Sequence, residues 1–284
     1  MQDGKALQAG TAHYLGTNFA RAQNIRFQTE NGDLAFAHTT SWGVSTRLVG
    51  GVVMTHGDDD GLRLPPIIAP RQIVLVPILR DRPEDGSVLE YCEALATELK
   101  ASVAFGEPIR AYLDRRPTRS IDKRWGWIKR GVPIVCEIGA RDVAAGAVTM
   151  MRRDRTRNGD KLHSAGLKRG EFVATAAQIL EEIQQTLRGE ARTRLQTNIR
   201  TDLRSLAELE AYFKESGDAE SFRGWAEVPW ARPEGEALAG VESRLKALKL
   251  TVRVAPLNQT DIAGKVCVFS GTPARESVLV GRAY

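Results

Sequence analysis

The sequence predicts a multidomain protein that combines an α/β domain with α+β segments. Its 284 residues are enough for two or three domains. After Pro70, apolar strand segments alternate with amphipathic helices, which is typical of α/β layering. The residues before Pro70 carry short β-prone runs around turns, as in an antiparallel sheet, and the segment from Trp225 onward mixes short strands with one helix.

Composition excludes several classes of protein. Hydrophobic residues make up 42% of the chain, but no run of about 18 apolar residues predicts a membrane span. The start, Met1 to Lys5, lacks the apolar segment of a secretory signal. The three cysteines, Cys92, Cys136 and Cys267, are far apart and odd in number, which indicates the reducing cytoplasm rather than a disulfide framework.

Positive charge is concentrated in the middle of the chain. The formal net charge is +5, with a pI near 9.2. Residues 110–204 alone contain 21 Lys and Arg against 11 Asp and Glu. A basic middle with less basic flanks indicates a module that binds a polyanion, and the alternative is a solvated basic face without a partner.

The first 70 residues are predicted to contain two helices and two strands. Leu15, Phe19 and Ala22 share one face of a predicted helix over Thr11–Ala22. The predicted strands are Ile25–Gln28 and Leu34–Thr40, around an Asn31-Gly32-Asp33 turn. A second, apolar helix is predicted to begin at Arg47 and to end before the turn Gly57–Gly61. Pro65 and Pro66 then mark the boundary.

Arg47 follows the small-residue turn Gly43-Val44-Ser45-Thr46 in the first turn of that helix. Unpaired backbone N–H groups at a helix start favour anions, and a guanidinium matches phosphate oxygens. The alternative is an ordinary solvated arginine. Gly50 and Gly51 predict a close approach of another segment to the helix. The acidic run from Asp58 to Asp60 is predicted to be a turn rather than a metal site.

Residues 71–187 are predicted to form a compact α/β domain. Its predicted elements are strands Ile73–Ile78, Val103–Phe105, Ile134–Ile138 and Ala147–Met151 and helices Val88–Leu99, Asp122–Arg130 and Phe172–Leu187. Glu137, Arg141 and Asp142 follow one strand, and Arg152 and Arg153 end its neighbour. We expect these side chains to form one site. An ordinary salt-bridge cluster is the alternative.

Residues 188–284 are predicted to form surface helices followed by a small α+β unit. Leu195, Ile199, Leu203, Leu206 and Leu209 recur at helical spacing over residues 188–215. The last unit begins at Trp225–Trp230, and its predicted elements are helix Val241–Leu248 and strands Thr251–Val254, Val266–Phe269 and Val278–Val280.

Four stretches carry a resemblance to a known family. LQAGTAHYLGTNFA and TSWGVSTRLVGG…MTHGDDDGLRLPP resemble the segments up to and including the third motif of class II aminoacyl-tRNA synthetases, in the prolyl-tRNA synthetase form of archaeal-eukaryotic type. KRWGWIKRGVPIVCEIGARD and GAVTMMRRD resemble that family's anticodon-binding domain. The resemblance implies three domains: the end of the antiparallel-sheet catalytic domain (1–70), the α/β anticodon-binding domain (71–187) and the C-terminal domain (188–284).

The resemblance also implies an activity and roles for residues. The family activates L-proline with ATP and Mg²⁺, transfers it to the proline tRNA, works in the cytoplasm and is homodimeric at full length. The implied ATP-binding residues are Gln8, Thr11, Ser45 and Arg47, with Arg47 as the catalytic residue on the γ-phosphate. His13, Trp42 and Gly43 are implied to contact proline, although without the resemblance an ordinary helix histidine is the favoured interpretation of His13. The anticodon residues are Glu137, Arg141, Asp142, Arg152 and Arg153.

The chain departs from the family pattern at two places. Val228-Pro229-Trp230-Ala231 stands where a cysteine is common after the tryptophan, and Cys267-Val268-Phe269-Ser270 replaces a closing Cys-x-x-Cys. One cysteine cannot build a tetrahedral structural site, so no zinc is predicted. Tyr284 matches the terminal tyrosine of the family, whose carboxylate reaches towards the catalytic domain.

The first two class II motifs are absent from the sequence. The resemblance therefore implies a C-terminal portion of a synthetase, and the isolated chain is expected to be inactive because half of the charge-stabilising groups are missing. A noncatalytic tRNA-binding module or complementing subunit is the alternative function. A nucleotide-binding regulatory protein that uses the Arg47 site alone is a third.

Overall fold

The computed structural model describes residues 1–158, 161–214, 224–259 and 261–282. Tyr284 lies outside the described residues. The chain divides into two compact units. One contains Asp3–Gly51 and Asn198–Tyr284 with Met1, and the other contains Val52–Thr197 with Gln2. Each unit has its own structure and is described separately.

The first part of the chain forms short strands and two helices. They are β1 (Thr11–Gly16), α1 (Asn18–Ala22), β2 (Arg26–Gln28), β3 (Leu34–Phe36), β4 (Thr39–Gly43) and α2 (Arg47–His56). β2 pairs with β3, which confirms the predicted turn between them, and α2 begins at Arg47 as predicted. A Cβ at Gly51 would lie 2.9 Å from Leu7 Cδ2, so Gly51 does allow a close approach to α2.

The predicted helix over Thr11–Ala22 is wrong for its first half. Residues Thr11–Gly16 form β1, which pairs antiparallel with β4, and the helix is limited to Asn18–Ala22. The strand partner is distant in sequence, so local periodicity did not reveal it, and tertiary pairing overrides a weak helical pattern. His13 therefore lies in a strand, which excludes the alternative of a helix histidine.

The unit Val52–Thr197 is built around a five-stranded sheet. Its elements are β5 (Ile73–Pro77), α3 (Asp85–Ala101), β6 (Val103–Ala104), β7 (Glu107–Pro108), β8 (Ala111–Leu113), α4 (Ser120–Lys129), β9 (Ile134–Ile138), α5 (Ala140–Ala145), β10 (Ala147–Arg152), β11 (Arg157–Asn158), β12 (Lys161–Leu162), β13 (Ala165–Lys168) and α6 (Arg169–Thr197). The strand order is β13-β10-β9-β5-β8. β5 runs parallel to β8 and β9, whereas β10 is antiparallel to β9 and β13.

Alternation along β5 assigns the two faces of this sheet. Ile73 and Leu75 belong to a large core with buried side chains of α3 and α6. Val74 and Val76 belong to a smaller core with Trp127 of α4. Because successive strand residues point to opposite faces, β5 is buried on both sides, as its unbroken apolar run predicts.

The Asp58 turn is anchored inside this unit. Asp58 and Gly61 exchange backbone hydrogen bonds of 3.0 Å, which confirms the turn. The backbone of Leu62 then donates to Lys129 O at 2.9 Å, and that of Leu64 donates to Gly131 O at 3.1 Å. This close approach needs glycine at residue 61, where φ is +124°.

The last part of the chain forms a four-stranded sheet covered by helices. Its elements are β14 (Ile199–Arg200), α7 (Leu206–Lys214), β15 (Trp225–Trp230), α8 (Gly235–Ala247), β16 (Leu250–Val254) and β17 (Glu276–Arg282). The strand order is β14-β15-β17-β16. Ala6 N donates to Arg282 O at 3.0 Å, and Trp225 Nε1 donates to Gly4 O at 3.0 Å, so the first residues pack on this sheet.

Two predictions for this region are corrected. Ile199 is not helical: α6 continues to Thr197, and Ile199 then pairs with Trp225 in a parallel bridge. Val266–Phe269 is not a regular strand, because Val266 makes an isolated bridge to Pro273 and the following residues turn. In both cases a backbone partner that the local pattern does not reveal decides the conformation.

Cys267 lies in the core of this last region. It is buried, and its Sγ donates to Ala231 O at 3.8 Å. Burial raises the pKa of this thiol, but hydrogen bonds from Ser270 and nearby backbone outweigh that effect and lower it. Within the described ranges no three His, Cys, Asp or Glu side chains come together as a metal site. The expectation of no zinc stays a prediction.

Candidate functional site

A small open cavity lies where β1 begins and β4 ends. Its volume is about 310 Å³, and its lining residues are Gln8, Ala9, Gly10, Thr11, Gly43, Val44, Ser45 and Arg47. In the antiparallel pair, Thr11 is directly opposite Gly43. A Cβ at Gly10 would lie 3.1 Å from Gly43 O, so small residues keep the two segments close. The four predicted ATP-binding residues therefore surround one cavity.

Arg47 reaches across this cavity. Its Nη1 donates to Gln8 Oε1 at 3.4 Å, and its backbone N–H donates to Ser45 Oγ at 3.4 Å. Both side chains are exposed, and α2 runs for 10 residues from Arg47. The positive end of the helix and the guanidinium therefore meet at the same opening, which suits an anionic group.

His13 and Trp42 do not lie together. The register places His13 opposite Ser41 and Ala12 opposite Trp42. Because directly opposed residues share a face and neighbours alternate, the His13 side chain is on the opposite face from Trp42. Gly43 lines the cavity on the His13 side, whereas Trp42 is 75% exposed on the other side.

Tyr14 and His38 form a pair that the sequence did not predict. The Tyr14 hydroxyl hydrogen-bonds to His38 Nδ1, and the rings stack with centroids 5.8 Å apart. Tyr14 is opposite Thr40, so it shares the Trp42 face of the strand pair. The predicted helix over Thr11–Ala22 did not allow for the contact between Tyr14 and His38. Alternation of residues along Ala12, Tyr14 and Gly16 was the available signal for a strand.

In the five-stranded unit, Glu137 lies near the end of β9 beside α4. Its carboxylate accepts from Arg124 Nη1 at 2.8 Å, and both side chains are largely buried. Arg141 is exposed in the first turn of α5. The Arg124 guanidinium also lies over the Trp125 ring at 5.9 Å. Arg124 and Trp125 were not predicted as site residues, although KRW next to the strand motif was the available signal.

Asp142 has a structural position in this cluster. Its carboxylate accepts from Gly139 N at 2.9 Å and from Thr149 Oγ1 at 2.8 Å. These bonds cap α5 and join it to β10, so the carboxylate is satisfied within the domain.

Arg152 and Arg153 lie at the other end of the strand pair. Thr149 is opposite Glu137, but Arg152 is opposite Ile134, because β9 and β10 are antiparallel. At about 3.4 Å per residue, three residues separate Arg152 from Glu137 by roughly 10 Å. The expectation that all five side chains form one site is corrected for this reason: the end of one antiparallel strand adjoins the start of its partner.

The two arginines are also engaged by carboxylates. Arg152 donates to Asp154 at 2.9 Å and to Glu182 at 2.7 Å. Arg153 is 4% exposed and donates to Asp58 and to Ile128 O. For these two residues the geometry favours the salt-bridge alternative.

Residues 72–186, which include these clusters, match the family model described as "Anticodon binding domain". This part of the chain is therefore similar to an anticodon-binding domain. The matched residues cover β5 to β13 and most of α6, so Glu137, Arg124 and most of the basic middle of the chain lie inside the matched range. Its sheet carries helices on both faces, in agreement with the α/β prediction.

The whole chain is similar to proline–tRNA ligases. It is 56% identical over 285 residues to the enzyme of Sphingopyxis alaskensis and 54% identical to that of Sphingomonas elodea. The enzyme of Bdellovibrio bacteriovorus is 44% identical over 285 residues. All of this chain is covered in each comparison, against 53%, 55% and 54% of the three relatives. The chain therefore spans about half the length of the curated relatives it matches.

No helix among the described residues has the length and apolar character that crossing a membrane requires.

Proposed function

We propose that this chain supplies the anticodon-reading part, and one side of the nucleotide site, of a proline–tRNA ligase. The observation that carries the proposal is the similarity over the entire chain to enzymes of that name. The clustering of Gln8, Thr11, Ser45 and Arg47 around one cavity supports the nucleotide assignment. The reaction is the activation of L-proline by ATP and its transfer to the proline tRNA.

In this reaction Arg47 holds the γ-phosphate of ATP. Charge develops on the pyrophosphate as it leaves, and a guanidinium at a helix start stabilises that charge. Gln8, Thr11 and Ser45 provide neutral hydrogen-bonding groups around the same phosphates. A cavity of about 310 Å³ suits the triphosphate end of ATP rather than the whole nucleotide. Mg²⁺ accompanies ATP, with most of its oxygen ligands coming from phosphates and water.

Proline binding is assigned to the same strand pair. Gly43 lines the cavity, and a residue without a side chain leaves room for a small ring. His13 shares that face, and Trp42 covers the other face together with Tyr14. Contact of proline with His13 and contact of proline with Trp42 are therefore separate proposals. A proline that contacts His13 lies on the opposite side of the strand pair from Trp42.

Anticodon reading is assigned to Glu137 with Arg141 and the newly found Arg124. Proline codons begin with two cytosines, so the matching anticodons carry two adjacent guanines. A carboxylate complements the N1 and N2 donors of guanine, and an arginine complements its acceptors. Asp142 caps α5 and joins it to β10. Arg152 and Arg153 form ion pairs inside the same unit. The role of these three residues in reading bases is therefore indirect.

Further features follow from the family resemblance. They are the archaeal-eukaryotic type, homodimerisation of the full enzyme and the domain limits 1–70, 71–187 and 188–284. A cytoplasmic location is consistent with three free, buried cysteines.

Binding of tRNA transcripts tests the anticodon assignment. Affinity of the chain for a proline tRNA transcript is compared with that for the same transcript whose two anticodon guanines are replaced by adenines. We expect a preference of at least 10-fold for the unchanged transcript, since each wrong base costs about 1–3 kcal/mol. Equal affinities would reject anticodon reading by this chain.

A noncatalytic tRNA-binding subunit is the second candidate. Among the described residues that line the cavity, Arg47 is the one with a charge, which is little for stabilising a pyrophosphate leaving group. Proline-dependent exchange of pyrophosphate into ATP separates the two candidates. Exchange by this polypeptide alone would reject the noncatalytic function.

A further inference from the structure

Three arginines surround the ring of Trp127 in the anticodon-binding domain. The guanidinium carbons of Arg71, Arg116 and Arg130 lie 5.0, 5.4 and 4.9 Å from its centroid. Arg71 also lies 4.4 Å from the centroid of Tyr112. These distances are within the range of cation–π attraction. The three side chains therefore form a basic layer over an aromatic pair, which we call the Trp127 patch.

The aromatic base of this patch is rigid. Trp127 is 3% exposed, and its ring meets that of Tyr112 edge-on, with centroids 5.5 Å apart. Trp127 Nε1 donates to Asp114 Oδ2 at 2.7 Å, which fixes the orientation of the indole. An arginine that stacks on a fixed ring loses less freedom when it binds a ligand, because its own orientation is already limited.

One of the three arginines is neutralised and two are not. Arg116 donates to Asp114 through Nε at 2.9 Å and Nη2 at 2.6 Å. In the described part of the chain, neither Arg71 nor Arg130 has a carboxylate within salt-bridge distance, and both are exposed. Lys123 adds a buried cation behind the ring, where its Nζ donates to Asp114 O at 3.2 Å. Four cations and the Asp114 carboxylate thus lie around this ring.

This imbalance has a cost that an anion would remove. Arg71 and Arg130 each lie about 5 Å from the same ring centroid, so their guanidinium groups are within about 10 Å of each other. Like charges repel one another, and because both groups are exposed, solvent and salt reduce this repulsion. Stacking occupies a face of each guanidinium and leaves its N–H edge for acceptor oxygens.

We propose that Arg71 and Arg130 bind backbone phosphates of the tRNA, at a contact that reads no bases. This inference rests on the proposed function, since it names a second surface of the same domain for the same partner. Two exposed guanidinium groups beside the same ring can each bind a phosphate, and phosphate contacts fix register without carrying sequence information. Glu137 selects the tRNA, and the Trp127 patch strengthens binding of every tRNA.

The salt dependence of binding tests this division of roles. The double variant Arg71→Gln/Arg130→Gln is compared with the wild type for the proline transcript and for its anticodon-changed form. Each lost phosphate contact lowers the slope of log affinity against log salt by roughly 0.7 to 0.9. We expect the slope to fall by about 1.5, and the affinity for both transcripts to fall by the same factor, so their ratio stays unchanged.

Two further variants act as controls. Arg119→Gln removes another exposed charge, which pairs with Asp122 at 2.9 Å, and it should leave the slope near the wild-type value. Arg71→Lys/Arg130→Lys keeps both charges, and it should restore most of the slope. A slope in the glutamine variant equal to that of Arg119→Gln would overturn the proposal. Loss of transcript preference in the wild type would instead reject anticodon reading, and a fall in slope would still support the phosphate contacts.

Discussion

Glu137 of β9 and Arg124 of α4 share a hydrogen bond of 2.8 Å between Oε2 and Nη1. The pair joins a strand end to the helix that packs beside it. Both side chains are mostly buried, with 14% and 20% of their surface exposed. A charge pair in this environment has a defined orientation, which a base-reading group needs. A guanine that binds here would compete with Arg124 for the carboxylate or use its free edge.

Substitution of Glu137 by glutamine should reduce selection of the proline anticodon. The amide keeps the shape but presents an N–H₂ group beside the guanine donors. We expect the preference for the unchanged transcript to fall by about 1–3 kcal/mol, which corresponds to roughly 5- to 150-fold. Competitive binding of the two transcripts measures it. Glu93→Gln, which alters an exposed pair with Arg115, should keep the wild-type preference. A Glu137→Gln variant with full preference would contradict the assignment.

Removal of the Arg47 side chain should weaken binding of ATP. The guanidinium faces the cavity and has Gln8 as its side-chain partner, so no buried contact is lost on truncation. We expect Arg47→Ala to raise the dissociation constant of MgATP about 10-fold, since a charge-assisted hydrogen bond contributes about 1.5 kcal/mol. Isothermal calorimetry provides the measurement. Arg26→Ala, which removes a guanidinium lying over Phe36, should leave ATP binding unchanged. Equal affinities of Arg47→Ala and wild type would remove Arg47 from the site.

Asp58 should stabilise the unit Val52–Thr197 through Arg153. Burial raises the pKa of Asp58, but hydrogen bonding and charge from Arg153 outweigh it and hold the pKa below the usual value. The contribution to stability is therefore present above about pH 4 and is lost as the pH falls through the folded pKa.

The corresponding variant is Asp58→Asn. Because the Asp58 side chain is 40% exposed, we expect a modest loss of about 1–2 kcal/mol in the free energy of unfolding at pH 7. Urea unfolding at pH 7 and pH 3 measures it, and the difference between variant and wild type should shrink at pH 3. Asp59→Asn alters the exposed neighbour and should have little effect at either pH. Identical stability of the two variants would be the contrary result.

Gly61 should tolerate no side chain. Its φ is +124°, and a Cβ there would lie 2.6 Å from Lys129 O, a backbone atom that cannot move aside. We expect Gly61→Ala to lower the free energy of unfolding by roughly 2–4 kcal/mol. Gly189→Ala in α6 meets no atom within 4 Å and should stabilise the protein by about 0.5–1 kcal/mol. Thermal unfolding of both variants measures these changes. A Gly61→Ala variant as stable as the wild type would show that the turn can relax.

Local sequence patterns predicted an element correctly where its buried residues follow a single regular spacing. The apolar run of β5 and the helical spacing in α3 and α6 predicted those elements because their partners are the domain core itself. The start of α2 at Arg47 was predicted for a similar reason, since the small-residue turn Gly43-Val44-Ser45-Thr46 comes directly before it. These features depend on residues close to one another in the chain.

Other features depend on pairing between distant segments. Thr11–Gly16 became a strand because β4 supplies its hydrogen bonds, and that register separates His13 from Trp42. Arg152 lies away from Glu137 because β10 returns antiparallel to β9, which the residue types do not reveal. The contact of Arg124 with Glu137 and the Trp127 patch also depend on how α4 packs on the sheet, which local patterns do not predict.

The sequence alone therefore determined the α/β character of the middle domain, its basic charge, the Arg47 turn and the family motifs that point to a tRNA ligase. The tertiary structure decided which of those residues meet: Arg47 with Gln8, Glu137 with Arg124, and Arg153 with Asp58. The physical reason is that propensity and periodicity act over a few residues, whereas strand direction and register are set by contacts between distant parts of the chain.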